Sequence, residues 1–172
     1  MTSRKTVLVL GGSSDIGRAA ARAFAKAGYN VGLAGRDVAA LEPDAADLRA
    51  RYNIEASTWA FDVLDTASFD GFVAGLPALP DVVVSIIGLL GVQPNAESDL
   101  AHAITIMRSN YEGPSLILGL FAEKFLARGN GTIVGVSSVA GDRGRASNYV
   151  YGSAKAGFSA FLSGLQIGRA HV

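Results

Sequence analysis

The chain has 172 residues, 49% of them hydrophobic and 17% charged, a composition that suits one ordinary globular domain and excludes global disorder. Fifteen Lys plus Arg balance fifteen Asp plus Glu, so no net field draws the chain to nucleic acid or to an anionic membrane. Cysteine is absent and the only histidines are His102 and His171, which rules out disulfides, thiolate metal sites and cysteine nucleophiles and argues against a metal centre of any kind.

Taken in chain order, residues 6–10 form an apolar run that ends on Gly11-Gly12-Ser13-Ser14-Asp15, too short and too polar for a signal peptide. The longest apolar stretch, residues 82–92, is broken by Ser85, Gly88 and Gly91 and falls well below the roughly 20 residues a spanning helix needs. Both readings predict a cytoplasmic protein without a membrane partner. Residues 6–10, 30–34, 57–61, 82–87 and 132–136 read as buried strands. Between them, residues 16–27, 38–51, 67–75 and a long stretch from about 96 to 127 have helical character, and a last helix is expected over about 149–165. Apolar strands separated by helices call for a parallel sheet covered on both faces, an α/β domain.

The first strand delivers a glycine loop, Gly11-Gly12-Ser13-Ser14-Asp15-Ile16-Gly17, and a helix follows at once. Such a turn lets backbone N–H groups and the helix N-terminus approach a pyrophosphate with no Cβ in the way. Asp15 stands where a middle glycine is expected and is read as the cap of the helix. The same letters could also make an ordinary Gly-Ser turn without a ligand. No Gly-Lys-Ser/Thr follows, so the loop is not of the Walker type. At the end of the second strand the chain reads Leu33-Ala34-Gly35-Arg36-Asp37. A carboxylate at position 35 would suit an unphosphorylated ribose; Gly35 leaves it empty, and Arg36 offers a guanidinium to a 2′-phosphate. NADP(H) is therefore expected over NAD(H), with Asp37 able to offset part of the charge.

After the fifth strand comes Ser137-Ser138-Val139-Ala140-Gly141, and later Tyr151-Gly152-Ser153-Ala154-Lys155. Tyr and Lys at i and i+4 share a helix face, so the ammonium can sit near the phenol and favour its ionised form. That suits proton transfer to or from an alcohol or carbonyl oxygen, with Ser138 able to hydrogen-bond the same oxygen. Tyr149 has Ser153 rather than Lys four residues on and is a decoy.

Together these motifs resemble the short-chain dehydrogenase/reductase family over nearly all of residues 6–165. The resemblance implies a Rossmann-type doubly wound sheet of strand order 3-2-1-4-5. It implies Tyr151 as general acid/base, Lys155 on the nicotinamide ribose, Ser138 on the substrate oxygen, and Asn110 holding a water of the proton relay. By the same resemblance Asp62, followed by Val63, meets the adenine. With Gly88 as the retained glycine after the fourth strand, the cofactor set becomes Gly11, Ser13, Ser14, Asp15, Ile16, Gly17, Arg36, Asp62, Val63, Gly88, Tyr151 and Lys155. The implied reaction is hydride transfer between NADP(H) and a carbonyl or secondary alcohol, in a homodimer or homotetramer. The rival readings are a non-catalytic NADP-binding sensor or scaffold, and an inactive fragment of a reductase.

The chain departs from the family in two places. Ser85-Ile86-Ile87-Gly88 stands where the family has Asn-Asn-Ala-Gly, and Asp15 replaces a glycine. Both resemble a branch that contains the 2-keto-sugar reductase of decaprenylphosphoryl-ribose epimerisation. Members of the family also continue beyond this point with further strands and a substrate-covering segment. Residues 1–166 are therefore expected to be a shortened NAD(P)-binding domain with its last strands missing. Residues 167–172 read like a translated sequencing adapter and are expected to be a tail foreign to it. His171 then carries no function, and His102 is expected to be a packed or surface helix residue.

Overall fold

The structure, a computed structural model, describes residues 4–168; the tail expected from position 167 and His171 lie at or outside that limit. Strands β1 (Thr6–Leu10), β2 (Asn30–Gly35), β3 (Ala56–Ala60), β4 (Val82–Ser85) and β5 (Thr132–Gly135) form one parallel sheet in the order β3-β2-β1-β4-β5. Register pairs Leu10 with Ala34 on one side and with Ser85 on the other. The carboxyl ends of the three central strands are therefore level. The direction of strand order changes at β1, which opens a crevice between β1 and β4 at those ends.

Alternation along each strand divides the core in two. Val7, Val9, Val31, Leu33, Val82 and Val84 face helices α1 (Asp15–Lys26) and α2 (Val38–Tyr52), whose Ala21, Ala25, Leu41 and Leu48 close that layer. Leu8, Leu10, Ala34 and Val83 face the opposite way, onto Phe121, Phe125 and Phe158. Those rings come from α6 (Gly113–Arg128) and α7 (Tyr149–Gly168), while α3 (Phe69–Gly75) adds Phe69. Phe121 and Phe158 are almost fully buried, and truncation of such a ring typically costs about 3–5 kcal/mol. Helix α7 is thus firmly fixed on the sheet.

Several expectations are corrected. β3 and β5 are not buried throughout: they are the two edges, β3 is at most half-buried, and alternate residues of β5 are exposed. β4 ends at Ser85; the Ile86 N–H still bonds the Leu10 carbonyl, and Ile86, Ile87 and Gly88 line the crevice. The long helical stretch is three helices, α4 (Gln93–Ser98), α5 (Leu100–Met107) and α6, with a π-helical turn at Arg108–Glu112 joining the last two. Asp99 breaks the first pair by capping the N–H of Ala101 at 2.9 Å.

The end of the sheet away from the crevice is tied by two side chains. Asp81 accepts the Thr6 N–H through its carboxylate at 2.7 Å, donates its own N–H to Thr6, and accepts from Thr132 through its carbonyl. Arg128, at the end of α6, donates to the carbonyls of Leu79 and Pro80 at 2.8 and 2.9 Å and lies over the Phe125 ring. Among the described residues no helix is long and apolar enough to cross a membrane.

Candidate active site

At the carboxyl end of β1 the chain turns through Gly11 at φ +89°, where an L side chain is strained. The N–H groups of Gly11 and Gly12 both donate to Ala34, which pins the loop to β2. Ser14, not Asp15, caps α1: its Oγ accepts the Gly17 N–H at 3.0 Å. Asp15 is instead the first helical residue, with its side chain in solvent and a loose ion pair to Arg18 at 3.7 Å. This relieves the conflict of placing a carboxylate beside a pyrophosphate. A Cβ on Gly17 would overlap the Gly11 carbonyl oxygen, so only glycine lets α1 begin this close to the turn. The N–H groups of Ser13, Asp15 and Ile16 have no acceptor among the described residues; for Asp15 and Ile16 this is what the first turn of a helix dictates. Free donors, a positive helix end and absent side chains together fit a dinucleotide's pyrophosphate.

A cleft of about 230 Å³ runs from this loop across the ends of β2, β3 and β4. Gly11, Ser13, Ser14, Arg36, Asp62, Val63 and Gly88 line it, whereas Asp15, Ile16 and Gly17 are not among its lining residues. Arg36 is exposed at the rim and forms no ion pair among the described residues. Asp37 is occupied in capping α2, accepting the Ala40 N–H at 3.1 Å, so its carboxylate is held on helix duty next to that guanidinium. Asp62 accepts the Leu64 N–H at 2.9 Å, which shapes the turn after β3.

None of the acid/base candidates Asn110, Ser138, Tyr151 and Lys155 lines this cleft; Asn110 and Lys155 lie next to Gly88, which does. Asn110 sits in the π-helical turn and has no solvent exposure. The wide turn points its amide at the segment after β4: Oδ1 accepts the Leu89 N–H at 3.1 Å, and Nδ2 donates to the carbonyls of Leu89 and Ile106 at 2.7 and 2.8 Å. Lys155 is 3% exposed, and its Nζ donates to the carbonyls of Ile87 and Val136, both at 3.2 Å. Burial holds this ammonium below the usual lysine range. It lies 5.9 Å from the centre of the Tyr151 ring. A Cβ on Gly88 would stand 3.1 Å from Asn110 Oδ1 and 3.5 Å from Lys155 Nζ, so these two buried groups converge beneath Gly88, a residue of the cleft wall.

Ser138 precedes a short 3-10 turn, Val139–Gly141, and its Oγ accepts the Ala140 N–H at 3.2 Å. The hydroxyl proton remains free to donate outward. This turn presses against α7 where Gly152 faces the Ala140 carbonyl, a Cβ there standing only 2.6 Å away. Ser138 and Tyr151 thereby sit on touching elements. Two residues with no assigned role in the sequence reading prove structural neighbours of this group. Ser137 donates to the Lys155 carbonyl at 3.0 Å and contacts Ser159, tying β5 to α7. Gln93 accepts the Val150 N–H at 3.2 Å, one residue before Tyr151. The doubled serine was visible in the sequence; Gln93 had no signal. His102 packs as expected but has a definite task, accepting the Val92 N–H at Nε2.

Comparison with known proteins agrees with this fold. The family model for short chain dehydrogenase matches residues 5–169. An uncharacterised oxidoreductase of Mycobacterium tuberculosis is 42% identical over 167 residues, covering 95% of this chain and 67% of the relative. An alcohol dehydrogenase from the archaeon Thermococcus sibiricus, solved with 5-hydroxy-NADP, superposes with a TM-score of 0.88 at 26% identity, over 99% of this chain and 73% of that one. A variant of actinorhodin polyketide ketoreductase, solved with NADPH, does so at 0.87 and 26%, over 98% and 68%. The chain spans about two thirds of the length of curated relatives it matches. With its matched profile, strand order and related oxidoreductases, the chain belongs to the short-chain dehydrogenase family.

Proposed function

We propose that this chain supplies the cofactor half and the acid/base groups of an NADP(H)-dependent oxidoreductase acting on a carbonyl or secondary alcohol. The observation that carries the reading is the convergence of Asn110 and Lys155 under Gly88, with Tyr151 one helical turn before Lys155 and Ser138 on the adjoining turn. The nicotinamide, when bound, supplies or accepts the hydride. The chain's residues handle everything else. Free N–H groups of Ser13, Asp15 and Ile16 hold the pyrophosphate, and Asp62 and Val63 face the adenine. Ser138 donates a hydrogen bond to the substrate oxygen as negative charge grows there. In the reducing direction the Tyr151 phenol gives that oxygen its proton, so the carbonyl becomes an alcohol with atoms and charge balanced. The Lys155 ammonium, kept dry beside the ring, stabilises the charge left on the phenol oxygen. Asn110 holds the Leu89 backbone and so the floor on which the reacting groups sit.

The preference for NADP(H) rests on Arg36, exposed at the rim with no ion pair among the described residues, and on glycine at position 35. The exposed apolar stripe of Leu100, Ile104, Met107 and Tyr111 supports assembly into a homo-oligomer. Titration of the purified chain with NADPH and with NADH, followed by nicotinamide fluorescence, tests the cofactor reading. Saturable binding tighter for NADPH is expected, and Arg36→Leu is expected to weaken NADPH about tenfold while leaving NADH unchanged. Failure of the wild-type chain to bind either cofactor would overturn the reading.

A further inference from the structure

The first turn of α7 is held by a residue from a different element. Gln93, on α4, is 8% exposed; its Oε1 accepts the Val150 N–H at 3.2 Å and its Nε2 donates to Glu97 at 3.3 Å. Val150 is the second residue of α7, and its N–H is one of the four a helix cannot satisfy internally. The residue placed to do so locally is Asn148, immediately before the helix. Its Oδ1, however, is buried with no hydrogen-bond partner among the described residues. The cap comes instead from 57 positions away in sequence.

The segment that carries Gln93 is itself strapped. Asn110 holds both backbone groups of Leu89, and His102 accepts the N–H of Val92 at 3.1 Å. Ala96, Ala103, Ile106 and Val150 form a buried cluster against which Tyr151 packs. The run from Gly88 to Gln93 thus leaves the cleft wall, passes two anchors and ends on the helix that bears Tyr151.

We infer that Gln93 is a positioning residue for Tyr151, setting the phenol's place relative to the cleft wall by fixing the N–H of Val150. The inference rests on the reading of Tyr151 as the acid/base. Gln93→Met keeps length and removes the acceptor. The double variant Gln93→Glu with Glu97→Gln restores an acceptor, keeps an amide opposite it, and carries the charge a helix N-terminus favours. The test measures amide exchange and tyrosine ring resonances by NMR on the whole chain, with Tyr151→Phe assigning the ring signal. In the wild type the Val150 N–H is protected. In Gln93→Met it exchanges about fivefold faster, the size of a lost cap. The Tyr151 ring signal moves with it, while amides of β1 and β4 stay as they were. The Gln93→Glu, Glu97→Gln double variant reverses both effects and Asn148→Ala produces neither. A Tyr151 signal unmoved in Gln93→Met overturns the inference. So does an unprotected Val150 N–H in the wild type, or loss of its protection in Asn148→Ala, and these two decide the matter even if Gln93→Met does not fold. NADPH titration of the same samples separates the readings: a wild type that keeps the cap but binds no cofactor fails the proposed function, not the cap.

Discussion

Replacing Asn110 with alanine removes three hydrogen bonds from a fully buried amide: one accepted from the Leu89 N–H and two donated to the carbonyls of Leu89 and Ile106. Leu89 is 38% exposed, so water reaches its freed groups after a small movement, and each lost bond costs nearer ~1 than ~3 kcal/mol. The sum is about 2–3 kcal/mol. In a domain of this size that lowers the thermal midpoint by about 4–12 °C. Asn110→Asp sharpens the test because it keeps an acceptor for the Leu89 N–H but turns a carboxylate oxygen towards two carbonyls. Burial and those carbonyls raise the folded pKa of such an aspartate above its unfolded value. The folded state then binds the proton more tightly, and stability recovers as pH falls through the folded pKa. Circular dichroism melts of wild type and both variants from pH 4 to 8 measure these effects. An alanine variant melting within about 1 °C of wild type would refute the claim that Asn110 pins the Leu89 segment.

Two further outcomes follow from burial and close approach. Burial lowers the folded pKa of Lys155 below its ordinary 10.5, so between the folded value and 10.5 the unfolded chain holds a proton the native state has released. Stability therefore rises with pH across that interval; urea midpoints should show the rise in wild type and a flatter profile in Lys155→Met. Gly17→Ala places a Cβ against the Gly11 carbonyl and 2.9 Å from Ser14 Oγ. It should cost about 1–3 kcal/mol in urea unfolding and weaken NADPH about tenfold by fluorescence titration; wild-type affinity in a folded variant would contradict the loop's assigned role.

The strands and the motif positions were legible because they depend on short-range signals: apolar runs, a glycine turn after a strand, Tyr and Lys four apart; the sheet order followed only from the family resemblance that those motifs carry. Asp15 was misread because Asp and Ser are both good caps, and only the backbone angles at Ser14 decide which residue lies outside the helix. The π-helical turn at Arg108–Glu112 has no composition of its own; it reflects the inward pull on Asn110 from Leu89, a contact 21 positions away. The exposure of β3 and β5 follows from their rank in the sheet, which apolar content does not encode. Gln93 escaped notice for a similar reason, since its meaning depends on α4 lying beside the start of α7.

Asp81 and Arg128 close one end of the sheet with bonds to Thr6, Thr132, Leu79 and Pro80, and none of these groups borders the cleft. Architecture and chemistry are therefore separable along the strand axis. Substitutions at the cleft end can redirect what is recognised without loosening the fastening at the other. In such a molecule, new specificities are reached by rewriting loops, while the fastened end tolerates little change of any kind.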